Sequence, residues 1–239
     1  AVYVGGTEAG RRAGFSHTGA MAGPAELYEG AFRQCGILPA RSITELFDFC
    51  RVLGLLPPAK GRGVVIQTHS GGPGAAAADS CARAGLELPG LSEATLRRLA
   101  PFVPHTGSLR NPVDLTFTKN PADYYEAVPD AILSGENVHV LLMYLFLPLS
   151  TVRRAIEQMG LPEDRVEKET DRFIRDQADA VARVAERHGK PVVGYTLRDL
   201  REPLFRRLME LGVPVFSGPE RAARAIGALA AYSLRRRGT

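Results

Sequence analysis

The chain has 239 residues, of which 45% are hydrophobic and 23% are charged. This composition provides enough apolar material for a sizeable core in one or two domains. It excludes a membrane-spanning protein, because no apolar run reaches the roughly 18 residues that cross a bilayer, and no signal peptide opens the chain. The net charge of +4 comes largely from the basic end of the chain and, with no Trp, does not indicate nucleic-acid binding.

The cysteine content argues against a disulfide scaffold. Cys35, Cys50 and Cys81 form no CxxC pair, and three thiols cannot all be paired. No group of His, Cys and carboxylate residues has the spacing of metal ligands, so we expect no resident metal. A reducing, cytoplasmic location fits this cysteine usage.

The start of the chain predicts a strand-like run, a long loop, a helix and a short strand. A strand-like run begins at Ala1. The absence of an initial Met indicates a fragment. A long Gly-rich loop is predicted over residues 7–23. Pro24 suits the first position of a helix whose apolar residues recur at helical spacing until Gly36. A short strand is predicted at Ile37–Leu38.

A second helix and a linker follow. Ser42 and Glu45 form a capping-box pattern, which predicts a helix start. The sequence LLPPAKGRG, from Leu55 to Gly63, is typical of a linker. We therefore place a domain boundary there, with one unit over residues 1–56, a linker at 57–63 and a second unit at 64–239.

The second unit begins with a buried parallel strand at Val64–Ile66, followed by a glycine-rich loop and an alanine-rich helix. Strands and helices then alternate, which predicts a doubly wound parallel α/β sheet. The later strands are predicted at 138–147, 192–196 and 213–216. The helices between them are predicted at 92–100, 121–133, 164–188, 199–211 and 219–234.

The loop HSGGPG is a candidate anion site. A parallel strand that turns directly into a helix leaves backbone N–H groups unpaired, and their partial positive charge suits a phosphate. Ser70, Gly71, Gly72 and Gly74 would form this site, with Pro73 at the first helical position. The loop is neither a Walker A motif nor GxGxxG, and a tight structural turn explains the glycines equally well.

His17 lies in the sequence GFSHTGA. Its neighbours are small, and a neutral imidazole can act as a nucleophile near pH 7 and carry a phosphoryl group on a ring nitrogen. The alternative is a solvent-facing loop histidine with no chemical role.

Several stretches in this order resemble the NDP-forming acyl-CoA synthetases, a family related to succinyl-CoA synthetase. They are GTEAGRRAGFSHTGAMAGPAELYEGAFRQCGI, VVIQTHSGGPGAAAADSCARAGLELPGLS, NPVDLTF and PVVGYTLRDL. The resemblance covers nearly the whole chain. It implies flavodoxin-like, doubly wound parallel sheets, one partial within residues 1–56 and one complete within 64–239.

The resemblance implies a reaction that interconverts acyl-CoA, NDP and phosphate with a carboxylic acid, CoA and NTP. An acyl phosphate forms first, and its phosphoryl group passes through a histidine, which matches His17, to the nucleotide. The Ser70–Gly74 loop matches the helix start that holds phosphate and the phosphohistidine. Asn111 and Asp114 match a loop near the active site, although a structural turn at Asn111 and a helix cap at Asp114 are equally good readings.

The same resemblance implies partners and cofactors outside this chain. CoA, ADP or ATP, and Mg would bind to CoA-binding and ATP-grasp domains or subunits of the complete, oligomeric enzyme, and this chain would bind phosphate. Alone it would be inactive. The alternative function is a catalytically silent module that senses acyl-CoA in a protein resembling an acetyltransferase.

Overall fold

The computed structural model of the chain describes residues 1–18, 23–116 and 120–236, with the side chains of residues 15–18 and 121 left aside. The described part contains a five-stranded sheet with helices on both faces, preceded by a segment of three helices. None of its helices is long and apolar enough to cross a membrane.

The first helix, α1 (Glu8–Thr18), lies where the sequence predicted a loop. The prediction was wrong for this part of residues 7–23 because it counted the glycines and missed the helix start. Thr7 Oγ1 accepts a hydrogen bond from the Gly10 N–H at 3.1 Å, as an N-terminal cap does. Glu8 stands in the first turn, where a negative charge is favourable.

Helix α2 (Ala25–Gln34) follows Pro24 and ends before Gly36, which has a positive φ of 69°. The strand predicted at Ile37–Leu38 is absent. A single parallel bridge joins Val2 to Ala40 instead. The prediction failed because two apolar residues without a neighbouring strand gain no ladder of hydrogen bonds.

Helix α3 (Ile43–Leu55) begins as the capping box predicts. Ser42 Oγ accepts from the Glu45 N–H at 3.1 Å, and the Glu45 carboxylate accepts from the Arg41 N–H at 2.5 Å. The buried face of α3 then lies against the last helix of the chain. Through this contact Val52 joins the apolar core on one face of the sheet.

The central sheet contains five parallel strands, β1 (Val64–Thr68), β2 (Val113–Asp114), β3 (Val140–Tyr144), β4 (Val192–Thr196) and β5 (Val215–Ser217). Their order across the sheet is β2-β1-β3-β4-β5. This is the flavodoxin-like order, and it confirms the predicted fold class. Strands β1 and β4 are buried along their whole length, as parallel strands covered on both faces must be.

The described part contains seven further α-helices, of which six lie between strands and the last follows β5. The predicted helix over 121–133 is a short 3-10 helix, Pro121–Tyr124, followed by an α-helix, and the predicted helix over 199–211 begins only at Pro203. The helices are α4 (Gly71–Arg83), α5 (Glu93–Leu99), α6 (Ala127–Leu133), α7 (Leu149–Glu157), α8 (Glu163–His188), α9 (Pro203–Glu210) and α10 (Pro219–Arg235).

The two faces of the sheet carry separate cores. On one face Val65, Leu141 and Val192 pack with apolar residues of α5, α6, α8 and α9. On the other face Ile66 and Leu142 pack with residues of α3, α4 and α10. This second layer is rich in alanine, which lets the helices lie close to the sheet and to each other.

Besides α1, two elements of the described part were not predicted from the sequence. Strand β2 has only two residues, Val113–Asp114, and helix α7, Leu149–Glu157, was not singled out. A two-residue strand has no periodicity to detect. Helix α7 carries Val152 and Ile156 at helical spacing and buries both, but the sequence analysis overlooked this short pattern.

Candidate functional site

The candidate site lies at the carboxyl edge of the sheet, where β1 turns into α4. Ser70 has an extended backbone and precedes the first helical residue, Gly71. The hydroxyl of Thr68 accepts a hydrogen bond from the Ser70 N–H at 3.1 Å and donates one to the Ser70 carbonyl at 2.8 Å. The last residue of β1 therefore holds the turn that starts the helix.

The start of α4 presents free hydrogen-bond donors. Gly71 and Gly72 are exposed, and neither N–H has a partner among the described residues. The Ser70 hydroxyl makes no capping hydrogen bond. Pro73 occupies the third helical position, not the first as predicted, so its missing N–H still costs no intrahelical bond. Two N–H groups and a hydroxyl thus face solvent at the positive end of a 13-residue helix.

The glycines of the loop have different reasons to be glycine. A Cβ on Gly74 would lie 2.8 Å from Thr68 Cγ2, closer than side chains tolerate, so packing requires glycine there. A Cβ on Gly72 would meet nothing within 4 Å. Gly71 and Gly72 are therefore not required by packing, which leaves them open to approach by a ligand.

A buried tyrosine lies under the turn. Tyr195, on β4, is fully buried and donates a hydrogen bond from its hydroxyl to the Pro73 carbonyl at 2.7 Å. Burial raises the pKa of Tyr195, so its hydroxyl stays a donor. The sequence analysis did not single out this residue, because nothing in the apolar run of β4 distinguishes it.

The structure brings Asp114 beside the glycine loop. Its Oδ1 accepts hydrogen bonds from the Thr116 N–H at 3.0 Å and the Thr116 hydroxyl at 2.6 Å. Its Oδ2 lies 3.8 Å from the position that a Cβ would take on Gly71. Asp114 caps no described helix, and it places a negative charge at the edge of the anion site.

Asn111 has structural partners. Its side-chain oxygen accepts from the Ile66 N–H at 3.0 Å. Its amide nitrogen donates to the carbonyls of Val64 at 2.8 Å and Pro89 at 3.2 Å. These bonds favour the structural reading of Asn111, whose peptide bond to Pro112 is cis.

His69, between β1 and Ser70, lies in an aromatic cluster. Its ring centroid is 4.9 Å from Tyr144, 5.3 Å from Tyr124 and 5.4 Å from Phe146. Burial lowers the pKa of His69 and outweighs the opposing effects of its own backbone and Asp114. The imidazole is therefore neutral at pH 7, and its buried Nε2 has no hydrogen-bond partner in the described part of the chain.

The backbone of His17 lies in the last turn of α1. Its side chain falls outside the described residues. Its predicted meeting with the Ser70–Gly74 loop therefore stays a prediction.

Two family models match consecutive parts of the chain. Residues 1–53 match the succinyl-CoA ligase like flavodoxin domain, and residues 64–153 match the Ligase-CoA domain. Together with the five-stranded parallel sheet, these matches define the class as α/β domains of CoA ligases. The two matched ranges leave residues 54–63 between them.

Comparison with known proteins narrows this class. The chain is 34% identical to the alpha subunit of acetate–CoA ligase [ADP-forming] I of Pyrococcus furiosus, over 97% of this chain and 46% of that protein. It is 32% identical to the alpha subunit of form II from the same organism, over 96% and 46%. The resemblance to the NDP-forming acyl-CoA synthetases is therefore confirmed, and the chain spans about half the length of these relatives.

A solved structure agrees with this assignment. The dinucleotide forming acetyl-coenzyme A synthetase 1 of Ca. Korarchaeum cryptofilum, in complex with phosphate and ADP, superposes with a TM-score of 0.77 at 28% identity. The match covers 99% of this chain and 47% of that one. The phosphate and ADP belong to that protein.

Proposed function

We propose that this chain is part of an NDP-forming acyl-CoA synthetase that converts acyl-CoA, NDP and phosphate into a carboxylic acid, CoA and NTP, reversibly. The observation that carries the proposal is the exposed start of α4. Its two unpaired N–H groups, at Gly71 and Gly72, stand in a chain that resembles acetate–CoA ligases over 96% of its length.

Phosphate recognition follows from the geometry of this helix start. The N–H groups of Gly71 and Gly72, with the Ser70 hydroxyl, offer three donors to an anion. The helix dipole adds a favourable charge interaction, typically about 0.3–1 kcal/mol when exposed. The carboxylate of Asp114 repels a fully ionised phosphate. The site therefore favours a phosphate whose oxygens are protonated or bonded to another group.

The chemical step is assigned to His17. A ring nitrogen attacks the phosphorus of the acyl phosphate, a P–N bond forms, and the P–O bond to the acyl group breaks as the carboxylate leaves with its electron pair. A terminal oxygen of the NDP then attacks phosphorus, and the P–N electrons return to the ring. Covalent catalysis of this kind replaces one difficult transfer with two easier ones.

The α4 start is suited to hold the phosphoryl group during both transfers. Its donors are fixed by Thr68 and Tyr195 before any ligand arrives, so they need no reorganisation when charge develops. CoA, the nucleotide and Mg are assigned to other domains or subunits of a cytoplasmic, oligomeric enzyme. Asn111 is assigned to holding the sheet edge beside this site, and Asp114 to its rim.

The test of His17 uses the full-length protein with γ-labelled ATP and Mg. We expect an acid-labile, base-stable phosphoryl label that disappears in His17→Ala. His105→Ala is the matched control, because His105 is exposed and also stands in an H-T-G sequence. Absence of label in the wild type contradicts the proposal and favours the silent acyl-CoA-sensing alternative, and label that persists in His17→Ala removes the role of this residue.

The test of the helix start is isothermal titration of the chain with inorganic phosphate. Gly72→Leu adds bulk where a Cβ meets no neighbour, so it should cover the N–H groups without unfolding the chain. We expect phosphate binding to weaken about tenfold or more, the effect of losing roughly 1.4 kcal/mol. Gly90→Leu, at another open exposed glycine, should bind like the wild type. Equal binding by both variants contradicts the assignment.

A further inference from the structure

A cleft lies at the C-terminal end of α4, away from the candidate site at the start of this helix, where the first 56 residues pack against α4 and α10. Helix α2 and the start of α3 form one wall, and the end of α4 with the first turns of α10 forms the other. Its volume is about 740 Å³, within the roughly 300–1,000 Å³ of small-molecule sites, which often lie between domains. We call it the junction cleft.

Guanidinium groups from both walls line the junction cleft. Arg33 and Arg41 come from the first wall, and Arg83 and Arg224 from the second. The side chain of Arg41 has no hydrogen bond or ion pair with the described residues. Arg33 and Arg83 make only long contacts to Glu29 and Asp79, at 3.8 and 3.4 Å, with 70% and 76% of their side chains exposed.

Exposed pairs of this kind contribute little to stability, typically about 0–1 kcal/mol. Arg33 and Arg83 can therefore turn to another anion at small cost. Arg224 differs, because it is bonded to the nearly buried carboxylate of Glu45. Three cations remain available, at Arg33, Arg41 and Arg83.

The carboxylates that face the cleft do not cancel these cations. Glu45 is already bonded to Arg224 and to the Arg41 N–H. Glu29 and Glu220 are the other acidic lining residues. The available groups are thus three guanidinium ions against two carboxylates, one of which contacts Arg33 only loosely.

The floor of the junction cleft is apolar. Phe49 and Ala228 belong to a small core cluster at this junction. Helices α4 and α10 touch beside them, because a Cβ on Gly227 would lie 2.9 Å from the Ala84 carbonyl oxygen. An apolar floor under a ring of arginines suits a molecule with an apolar or ring-shaped body and a charged end.

We propose that the junction cleft binds an organic phosphate of nucleotide size, whose phosphate groups contact Arg33, Arg41 and Arg83 and whose ring lies over Phe49 and Ala228. The planar guanidinium fork matches phosphate oxygens in pairs. The volume and the floor favour an organic phosphate over the inorganic ion. Because the ligand touches both walls, it also strengthens the contact between the two units.

The test is isothermal titration of the chain with ADP as the probe. We expect one ADP to bind, and Arg41→Ala and Arg83→Ala each to weaken binding about tenfold, as the loss of one charge-assisted hydrogen bond implies. Arg97→Ala is the control, because Arg97 is equally exposed, pairs with Glu93 at 3.6 Å and lies on α5, on the other face of the sheet. It should bind like the wild type.

Further variants separate this site from the start of α4. Gly72→Leu should leave ADP binding unchanged, and at equal concentration ADP should raise the melting temperature of the wild type more than that of Arg41→Ala. The proposal is overturned if ADP does not bind at millimolar concentration, or if binding responds to Gly72→Leu and not to the two arginine variants. It is also overturned if inorganic phosphate competes as strongly as ADP, since the apolar floor would then contribute nothing.

Discussion

The carboxylate of Asp48 on α3 accepts two hydrogen bonds from the guanidinium of Arg221 on α10, at 2.8 and 2.7 Å. Only 6% of the Asp48 side chain is exposed. The same guanidinium donates to the Ser217 hydroxyl at 2.8 Å. The hydrogen bonds that Arg221 donates to Asp48 raise the pKa of Arg221, so the guanidinium stays charged and joins α3, α10 and β5.

Removing this charge should loosen α3 from the second unit. Asp48→Asn keeps the shape of the side chain but loses an acceptor and leaves Arg221 without its counter-ion. We expect the free energy of unfolding to fall by about 1–3 kcal/mol, the usual effect for hydrogen bonds to charged groups. Urea denaturation followed by circular dichroism measures this difference.

The control for Asp48→Asn is Asp199→Asn. Asp199 pairs with Arg201, whose side chain is 88% exposed, and exposed pairs contribute little. This variant should unfold like the wild type. If both variants behave alike, the contact between α3 and α10 does not depend on the buried pair.

Gly72 and Gly74, which are two positions apart with Pro73 between them, should respond oppositely to alanine. Gly74→Ala pushes a methyl group to 2.8 Å from Thr68 Cγ2, and overpacking of this kind costs about 1–3 kcal/mol. Gly72→Ala meets nothing and should be neutral or stabilise by up to about 1 kcal/mol. Melting temperatures compare the variants, and equal effects would contradict the packing.

Acid should release a charged cluster between α5, α6 and α8. Asp130 contacts Arg98, Arg187 and His188, each at 2.9 Å. Burial alone would raise the pKa of Asp130, but hydrogen bonds from His188 and Arg187 outweigh it and lower the pKa below the ordinary 3.8. A carboxylate with a lowered folded-state pKa stabilises the fold above its unfolded pKa, and this contribution is lost as the pH falls through the folded value.

The expected result is a pH-dependent difference between the wild type and Asp130→Asn. Near pH 7 the variant should be less stable by about 1–3 kcal/mol, and the difference should shrink below about pH 4. Asp176→Asn, which loses only a 3.8 Å contact to Arg172 on the surface, is the control. Urea denaturation at several pH values measures both, and a constant difference down to pH 2 would contradict the assigned cluster.

The three thiols should differ sharply in reactivity. Cys35 and Cys50 are exposed and Cys81 is buried. Burial raises the pKa of Cys81 to about 12, so almost none of it is the reactive thiolate. With a thiol reagent at pH 8 we expect two groups to react at once and the third about a hundredfold more slowly or only on unfolding. Cys81→Ala should keep the two fast groups.

The sequence was sufficient to predict the elements that have a distinctive local residue pattern. The β-branched run of β4 was predicted with the bounds that the structure has, Val192–Thr196. Gly189 and Gly212 both have the positive φ that ends a helix before a strand. Buried parallel strands and their flanking helices carry strong local signals, and these positioned most of the sheet.

The remaining features depend on partners distant in sequence. Strand β2 exists because Val113 pairs with Gln67 on β1, and no local pattern in two residues predicts this pairing. Helix α1 was missed because Gly10 and Gly14 weigh against a helix, although Thr7 caps it. The hydrogen bond from Tyr195 to the glycine loop is likewise a tertiary contact. The sequence therefore predicted the candidate anion site but not the buried tyrosine that supports it.

The side chain of Asn111 also makes hydrogen bonds to β1 that a neighbouring strand would otherwise make. It satisfies the Ile66 N–H and the Val64 carbonyl, while Leu115 and Glu87 bond to the neighbouring backbone groups of β1 at either end. An open strand edge recruits other chains and seeds aggregation. The Asn111 amide lies between two short backbone pairings. The described residues therefore leave no run of unpaired backbone groups on this side of β1 with which another polypeptide could form a ladder.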